Sequence, residues 1–153
     1  MSRRDQITLS EAEVTAFLEE QRVVVCATNG SRGWPHLMPL WYVVSAGEIW
    51  AWTYGRSQKV RNLERDPRAT LQIETGESYD QLRGVMIEAE AQIHRNTDRV
   101  TEIGAALAGR YGGTGLGPEA RAALRAQAAK RVALQFVALR TASWDHRKLA
   151  GAY

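Results

Sequence analysis

Six stretches of the chain have the hydrophobic pattern of β-strands, in which successive side chains point to opposite faces. The clearest runs from residue 83 to 94, where Val85, Ile87 and Ala89 share one face with two further apolar residues. A continuous apolar run over 22–28 predicts a buried strand. The other predicted strands cover residues 35–44, 49–54, 69–74 and 132–139.

Between these strands, apolar residues recur at helical spacing. Ser10 begins a capping-box pattern, which predicts a helix over 11–20. A second helix is expected to begin at Ser57 and to end at Asp66, because the residue before a proline is disfavoured in helical geometry. The expected starts of two further helices are Asn96 or Thr97, and Pro118.

The order of the elements predicts a mainly β protein that carries helices. It is a helix, three strands, a helix, two strands, two helices and a strand, with hairpin-length links that favour antiparallel pairing. Six such strands suit a small closed or nearly closed barrel in one domain over 1–153. Pro35 and Pro39 lack a backbone N–H, so their strand is expected at a sheet edge, at a bulge or beside a ligand. The tail over 141–149 is expected to pack as a short terminal extension.

Composition narrows the class of protein. The 153 residues are 44% hydrophobic and 24% charged, as in a soluble globular domain. A net charge of +3 is a mild basic excess without the dense basic stripe of a nucleic-acid binder, and it suits a small acidic ligand. Cys26 is the only cysteine and lies in an apolar run, so it is expected in the core. The sequence has no apolar run of membrane-spanning length and no signal-peptide pattern, so a cytoplasmic location is expected.

The start of the helix at Ser57 is the best candidate for an anion site. Free backbone N–H groups and the helix dipole attract anions there, and Arg56 and Lys59 add two positive charges. The Ser57 hydroxyl could bond an anion or cap the helix. The sequence also fits an ordinary capped surface helix with solvated basic residues, and local pattern alone leaves both interpretations open.

Other candidate motifs are weaker. Gly115–Ala120 matches a dinucleotide-binding fingerprint, but it lies between two predicted helices and does not follow a strand. Glu88 and Glu90 share a strand face and could be an acid/base pair, but a solvated or ion-paired face is the favoured explanation. The three histidines lack metal-ligand spacing with a carboxylate or the cysteine. The histidines are His36, His94 and His146.

The anion site adjoins a strand pair with an apolar and aromatic character, which suggests a phosphorylated planar ligand. At these residues the sequence resembles the pyridoxamine-phosphate-oxidase-like split-barrel flavoproteins, and within them the branch that binds the deazaflavin F420. The resemblance covers nearly the whole chain and rests on the order and spacing of several weakly specific segments. These segments are 35–42, 47–50, 57–63, 66–68, 83–91 and 143–149.

The resemblance implies a six-stranded antiparallel split β-barrel of the FMN-binding type, forming a homodimer with two cofactors in grooves at the subunit interface. It implies that the cofactor is F420, with FMN as the alternative. Cofactor phosphate or tail contacts are carried over to Arg56, Ser57, Lys59 and Asn62. Ring-side positions are Met38, Pro39, Leu40, Trp41 and Thr53, and Trp144 is expected to reach the site from one of the two subunits.

The implied activity is hydride transfer between F420 and a small conjugated or heteroaromatic substrate, with no catalytic side chain required because the cofactor carries the hydride. Two alternatives are an FMN-dependent oxidase or reductase of the same fold and a cofactor or tetrapyrrole carrier without turnover. The further arginine and histidine residues with which pyridoxamine phosphate oxidases bind their substrate have no clear counterparts here. No metal, nucleic acid or membrane partner is expected.

Overall fold

The computed structural model describes residues 2–112 and 117–151, which form one curled antiparallel sheet with helices packed around it. The fingerprint at Gly115–Ala120 therefore lies partly outside the described residues. The strands are β1 (Val23–Asn29), β2 (Pro35–Trp41), β3 (Val43–Ser45), β4 (Glu48–Tyr54), β5 (Arg68–Thr75), β6 (Arg83–His94) and β7 (Arg131–Asp145). The helices are α1 (Arg3–Ile7), α2 (Glu11–Glu20), α3 (Gln58–Arg65), α4 (Thr97–Arg110) and α5 (Pro118–Ala128), with 3₁₀ helices at Tyr79–Gln81 and His146–Leu149.

The strand order is β2-β1-β5-β6-β7-β4-β3, so β2 and β3 lie at the two ends of the sheet. They are consecutive in the chain and separated only by Tyr42. Because one residue joins the two ends, the sheet must curl until its first and last strands approach each other, as in a split barrel. The predicted split-barrel fold is confirmed, with seven strands in place of six because the predicted strand over 35–44 is divided at Tyr42.

Tyr42 is fixed from several sides, which explains why the strand breaks there. Its buried hydroxyl donates to the Leu18 carbonyl oxygen at 2.6 Å, at the end of α2. Its own carbonyl oxygen accepts from Arg110 Nη1 at 2.8 Å and from the Tyr111 hydroxyl at 2.9 Å. Arg110 also donates to the carbonyl oxygens of Leu18 and Gln21. The end of α4 thus holds α2 against the junction between β2 and β3.

The barrel interior is the main core, and its members follow the predicted alternation. Val85 and Ile87 of β6 pack inward with Leu71 and Ile73 of β5, and α3 contributes Val60. A second core lies between the outer face of β4 and helix α4. The edge position expected for the strand with two prolines is confirmed, since β2 has a hydrogen-bonded neighbour on one side only.

The prediction that residues 141–149 form a short terminal extension was wrong. Strand β7 continues to Asp145 and pairs with β6 from Arg83↔Asp145 to His94↔Ala133. A bulge between Glu88 and Ala89 shifts the register and interrupts the simple alternation of β7. The second half of β7 therefore does not continue the alternating pattern of the first half. Helix α1 was not predicted either. It is a single capped turn, and it packs against the end of β7 and the last 3₁₀ helix.

Among residues 2–112 and 117–151, no helix combines the length and the apolar character that a membrane crossing requires.

Candidate functional site

The turn between β4 and α3 is held in place by backbone hydrogen bonds. Gly55 N donates to the Lys130 carbonyl oxygen at 3.0 Å, and Ser57 N donates to the Tyr54 carbonyl oxygen at 3.0 Å. Ser57 occupies the N-cap position, but its side chain makes no cap hydrogen bond. The Ser57 hydroxyl oxygen is buried and has no hydrogen-bond partner among the described residues. Of the two roles that the sequence left open for this hydroxyl, capping is therefore excluded.

Lys59 points into the protein, since its ammonium reaches the hydroxyl of Thr53, a buried residue of β4. The residue is only 7% exposed. Its ammonium donates to Thr53 Oγ1 at 3.1 Å, and no carboxylate of the described residues lies within ion-pair distance. Burial lowers the pKa of Lys59 below its ordinary value. The interpretation of a surface helix with solvated basic residues is thus wrong for this lysine.

Cys26 of β1 faces the same interior. Burial raises the pKa of its thiol to about 12, and the charge of Lys59 partly opposes that rise. The thiol is therefore neutral and provides no counter-charge for the ammonium. Thr53 contributes a hydroxyl and Cys26 a neutral thiol to the surroundings of Lys59, so neither opposes its positive charge with a negative one.

Asn62 is fully buried and connects α3 to the sheet. Its Nδ2 donates to Thr28 Oγ1 at 3.0 Å, and its Oδ1 accepts from Gln58 Nε2 at 2.9 Å. Beside Gln58 and Asn62, His36 Nδ1 is buried without a hydrogen-bond partner among the described residues, in a cleft of about 230 Å³. Thr28, Gln58 and His36 were not recognised in the sequence, because only the pairing of β1 with β2 and the packing of α3 bring them together.

The four ring-side residues predicted on β2 divide between its two faces. Met38 pairs with Cys26 and Leu40 with Val24, so both lie on the interior side, toward Lys59 and Thr53. Pro39 and Trp41 lie on the outer face. Trp41 stacks on the Tyr111 ring at 4.5 Å between centroids, with the two planes 3° apart, and is 60% exposed.

Arg56 and Trp144 lie apart from the interior group. The Arg56 side chain is exposed and lines a separate cleft with Lys130 and Arg131. Trp144 lies over Gly84 near the end of β7, whereas Thr53 pairs with Val132 near the start of that strand. At about 3.3 Å per residue, these two positions are separated by most of the strand. Within one chain the fold brings together Thr53 and Lys59, with Ser57 at the start of the same helix, but not Trp144.

The fold defines the class of protein as a split barrel, with the buried Lys59 and the unpartnered Ser57 hydroxyl where β4 meets α3. The chain belongs to the pyridoxamine 5'-phosphate oxidase family, whose sequence profile matches residues 10–146. This membership confirms the superfamily to which the sequence was assigned. Among curated proteins, none is significantly similar in sequence.

Solved structures extend the comparison. The conserved hypothetical protein Rv2991 from Mycobacterium tuberculosis is 41% identical, with a TM-score of 0.90 over 98% of this chain and 93% of that one. An F420 reductase is 18% identical, with a TM-score of 0.65 over 83% of this chain and 94% of that one. The heme storage protein HutZ from Vibrio cholerae is 17% identical, with a TM-score of 0.67 over 88% and 93%. The last two similarities establish the fold alone.

Proposed function

We propose that this protein is an F420-dependent oxidoreductase that transfers a hydride between the deazaflavin and a small conjugated or heteroaromatic substrate. The observation that carries the proposal is the buried ammonium of Lys59, which has a hydroxyl partner and no carboxylate partner among the described residues. An unpaired buried charge is unfavourable, so its presence indicates a bound anion. The unpartnered hydroxyl of Ser57, two residues before Lys59, supplies a second group for the same anion.

These residues fit the phosphate of a flavin-type cofactor. Lys59 offers donor protons beyond the one that it gives to Thr53, and Ser57 has an unused donor and acceptor. Met38 is 42% exposed, lies on the interior side of β2 beside Cys26, and offers an apolar edge to a cofactor. When bound, the cofactor supplies the hydride. The protein binds its phosphate, orients it along β2 and excludes water with the apolar wall of the barrel.

F420 is favoured over FMN by the cations near α3. The acidic tail of F420 requires more positive charge than the single phosphate of FMN. Arg65 donates to the Asn29 carbonyl oxygen, and Arg68 is paired with Asp66, so both have partners inside the chain. The side chains of Arg56 and Arg61 make no hydrogen bond or ion pair among the described residues and stay available. The F420 reductase among the structural neighbours agrees with this choice.

The second candidate is an FMN-dependent oxidase or reductase, since Lys59 and Ser57 support a phosphate and do not select a ring. Parallel titrations with F420 and FMN, followed by cofactor fluorescence, distinguish the two. We expect F420 to bind more tightly. Tight FMN binding without F420 binding would replace the first candidate by the second, and a protein that binds hemin but neither flavin would be a tetrapyrrole carrier.

We also propose that the protein is a homodimer that joins through the outer face of β1, β2 and β7. This face exposes large apolar side chains, with Leu37 57%, Trp41 60% and Leu139 65% exposed. Leu37 pairs with Ala27, and Ala27 and Leu139 line one cleft whose other lining residues include polar side chains of β5 and β6. Large apolar side chains exposed on the face of a sheet are characteristic of an interface. Sedimentation velocity at micromolar concentration tests the proposal, and a monomer would contradict it.

A further inference from the structure

A cleft of about 500 Å³ lies between the N-terminal segment and the second half of β7. One wall is formed by α1, α2 and the link between them, and the other by residues 140–143 of β7. The Leu9 backbone N–H donates to Ser143 Oγ at 3.0 Å, and Lys148 Nζ donates to the Thr8 carbonyl oxygen at 2.9 Å. These hydrogen bonds hold the link against the sheet, so the cleft is preformed. Its volume is within the range of small-molecule sites.

Two hydroxyl groups of β7 lie on the inner side of the strand, beyond its bulge. Thr141 pairs with Ile87 and Ser143 with Val85, and both partners are core residues. Paired side chains lie on the same face of a sheet, so the two hydroxyls are on the core side. The Thr141 hydroxyl makes no hydrogen bond among the described residues, and Ser143 uses only its oxygen, as the acceptor from Leu9. Both hydroxyls can therefore donate to an oxygen atom of a ligand.

The cleft has an unpaired charge of each sign. Arg4 of α1 and Glu11 at the start of α2 both line it. Neither side chain makes a hydrogen bond or an ion pair with any described residue, so the two do not pair with each other although they line the same cleft. The third charged residue of the lining, Arg140, is paired with Glu88. A ligand with one charge of each sign would compensate both Arg4 and Glu11.

The remaining part of the cleft is apolar. Leu9 and Val14 are partly buried and pack against the barrel core, and Ala142 lies opposite them on β7. Their exposed atoms form an apolar surface next to the two charges. A hydrocarbon group of a ligand would be removed from water on this surface, which stabilises the bound state.

From these observations we infer that the cleft binds an apolar α-amino acid as a zwitterion. The carboxylate pairs with Arg4 and accepts from the Thr141 hydroxyl. The ammonium pairs with Glu11, and the side chain lies on Leu9 and Val14. A simple anion would leave the charge of Glu11 uncompensated, and a simple cation would leave that of Arg4.

This amino-acid cleft is separate from the proposed cofactor site. Thr53, which accepts from Lys59, pairs with Val132 near the start of β7. Thr141 lies much further along the same strand, about 30 Å away along the chain at the usual rise per residue. The two hydroxyls are also on the core side of β7, opposite to the outer face proposed for the dimer. The inference therefore holds whichever cofactor the protein binds.

Calorimetric titration of the purified protein with L-leucine tests the site. Two analogues of leucine separate the roles of the charges, because 4-methylpentanoate lacks the ammonium and 3-methylbutylamine lacks the carboxylate. We expect leucine to bind, and each analogue to bind about three- to tenfold more weakly, the range for solvent-accessible charged contacts. No cofactor is present in this titration, so its result does not depend on F420 binding.

Substitutions of the two charged residues should act on different groups of the ligand. Arg4→Gln should weaken leucine binding about three- to tenfold and leave the affinity for 3-methylbutylamine unchanged. Glu11→Gln should weaken leucine binding to a similar extent and leave the affinity for 4-methylpentanoate unchanged. Arg3→Gln and Glu19→Gln are the matched controls, because they remove the same charges from α1 and α2 outside the lining of the cleft.

Both control variants should bind leucine as the parent protein does. Absence of leucine binding would overturn the inference, and so would equal affinities for leucine and its two analogues. Equal losses in Arg4→Gln and Arg3→Gln would also overturn it, since a general charge effect would then explain the binding.

Discussion

The ammonium of Lys59 lies 3.1 Å from the hydroxyl oxygen of Thr53, in a part of the barrel wall where no carboxylate of the described residues pairs with it. A lysine in this position is destabilising unless something else compensates its charge, because desolvation disfavours the charged form. Its lowered pKa expresses the same imbalance. A phosphate beside Lys59 would compensate its positive charge. Lys59 and Thr53 are therefore the most informative positions for substitution.

Lys59→Met should therefore separate stability from binding. It removes the buried charge and keeps a similar apolar volume, so the melting temperature without cofactor should stay the same or rise. Binding of F420 should weaken by about 1–3 kcal/mol because a charge-assisted contact is lost. Thermal melts with and without cofactor measure both effects. Lower stability together with unchanged affinity would mean that Lys59 has a structural role only.

Ser57→Ala should behave unlike an ordinary N-cap substitution. The hydroxyl makes no cap hydrogen bond, so the free energy of unfolding should change by less than about 0.5 kcal/mol. Ser10 provides the matched control, because its side chain accepts from Glu13 N at 3.2 Å in a complete capping box. Ser10→Ala should cost about 1 kcal/mol. Chemical denaturation of both variants makes the comparison.

Ser57→Ala is also expected to weaken F420 binding by about 0.5–1.5 kcal/mol, the net value of one hydrogen bond. Ser10→Ala should not weaken it. Equal affinities in the two variants would remove Ser57 from the proposed phosphate site.

Gly104 allows α4 to approach β4 closely. A β-carbon at this position would lie 2.5 Å from Cζ3 of the Trp52 ring, which forces one of the two to move. Gly104→Ala should therefore destabilise the protein by about 1–3 kcal/mol. Gly109 lies in the same helix, and a β-carbon added there would have no neighbouring atom within 4 Å, so Gly109→Ala should be neutral or stabilise by up to about 1 kcal/mol. Two variants of equal stability would contradict the close contact.

Asp145 should make the stability depend on pH in the acid range. Its hydrogen bonds from the Arg147 side chain hold the pKa of the carboxyl below its usual 3.8. A carboxyl whose pKa is lower in the folded protein stabilises it above the unfolded value, and the contribution disappears as the pH falls from about 3.8 through the folded pKa. Unfolding curves between about pH 2 and pH 7 should show that Asp145→Asn is less stable than the parent at neutral pH.

The difference between the parent and Asp145→Asn should shrink toward the acid end of this range, where protonation neutralises the carboxyl of the parent as well. Asp98→Asn is the control, because Asp98 forms an exposed ion pair with Arg125 and exposed pairs contribute little. A difference between the parent and Asp145→Asn that does not change with pH would exclude the ionised carboxylate as the cause.

Local features of the sequence predicted most elements well. The inward face of β6, the capping box at Ser10 and the end of α3 at Asp66 each depend on residues within one turn or a few strand positions. The second half of β7 was missed because the bulge opposite Glu88 and Ala89 breaks its alternation. Strand β6, far away in the sequence, supplies the pairing that the residue pattern of β7 does not indicate.

The sequence by itself determined that a basic helix start follows an aromatic strand, since Arg56, Ser57 and Lys59 are neighbours in the chain. Only the tertiary structure decided where their side chains go. The β4–α3 turn sends Lys59 into the barrel beside Thr53 and leaves Arg56 outside with Lys130 and Arg131. Charge and spacing along a chain do not specify burial, because burial depends on which distant strands and turns pack against each side chain.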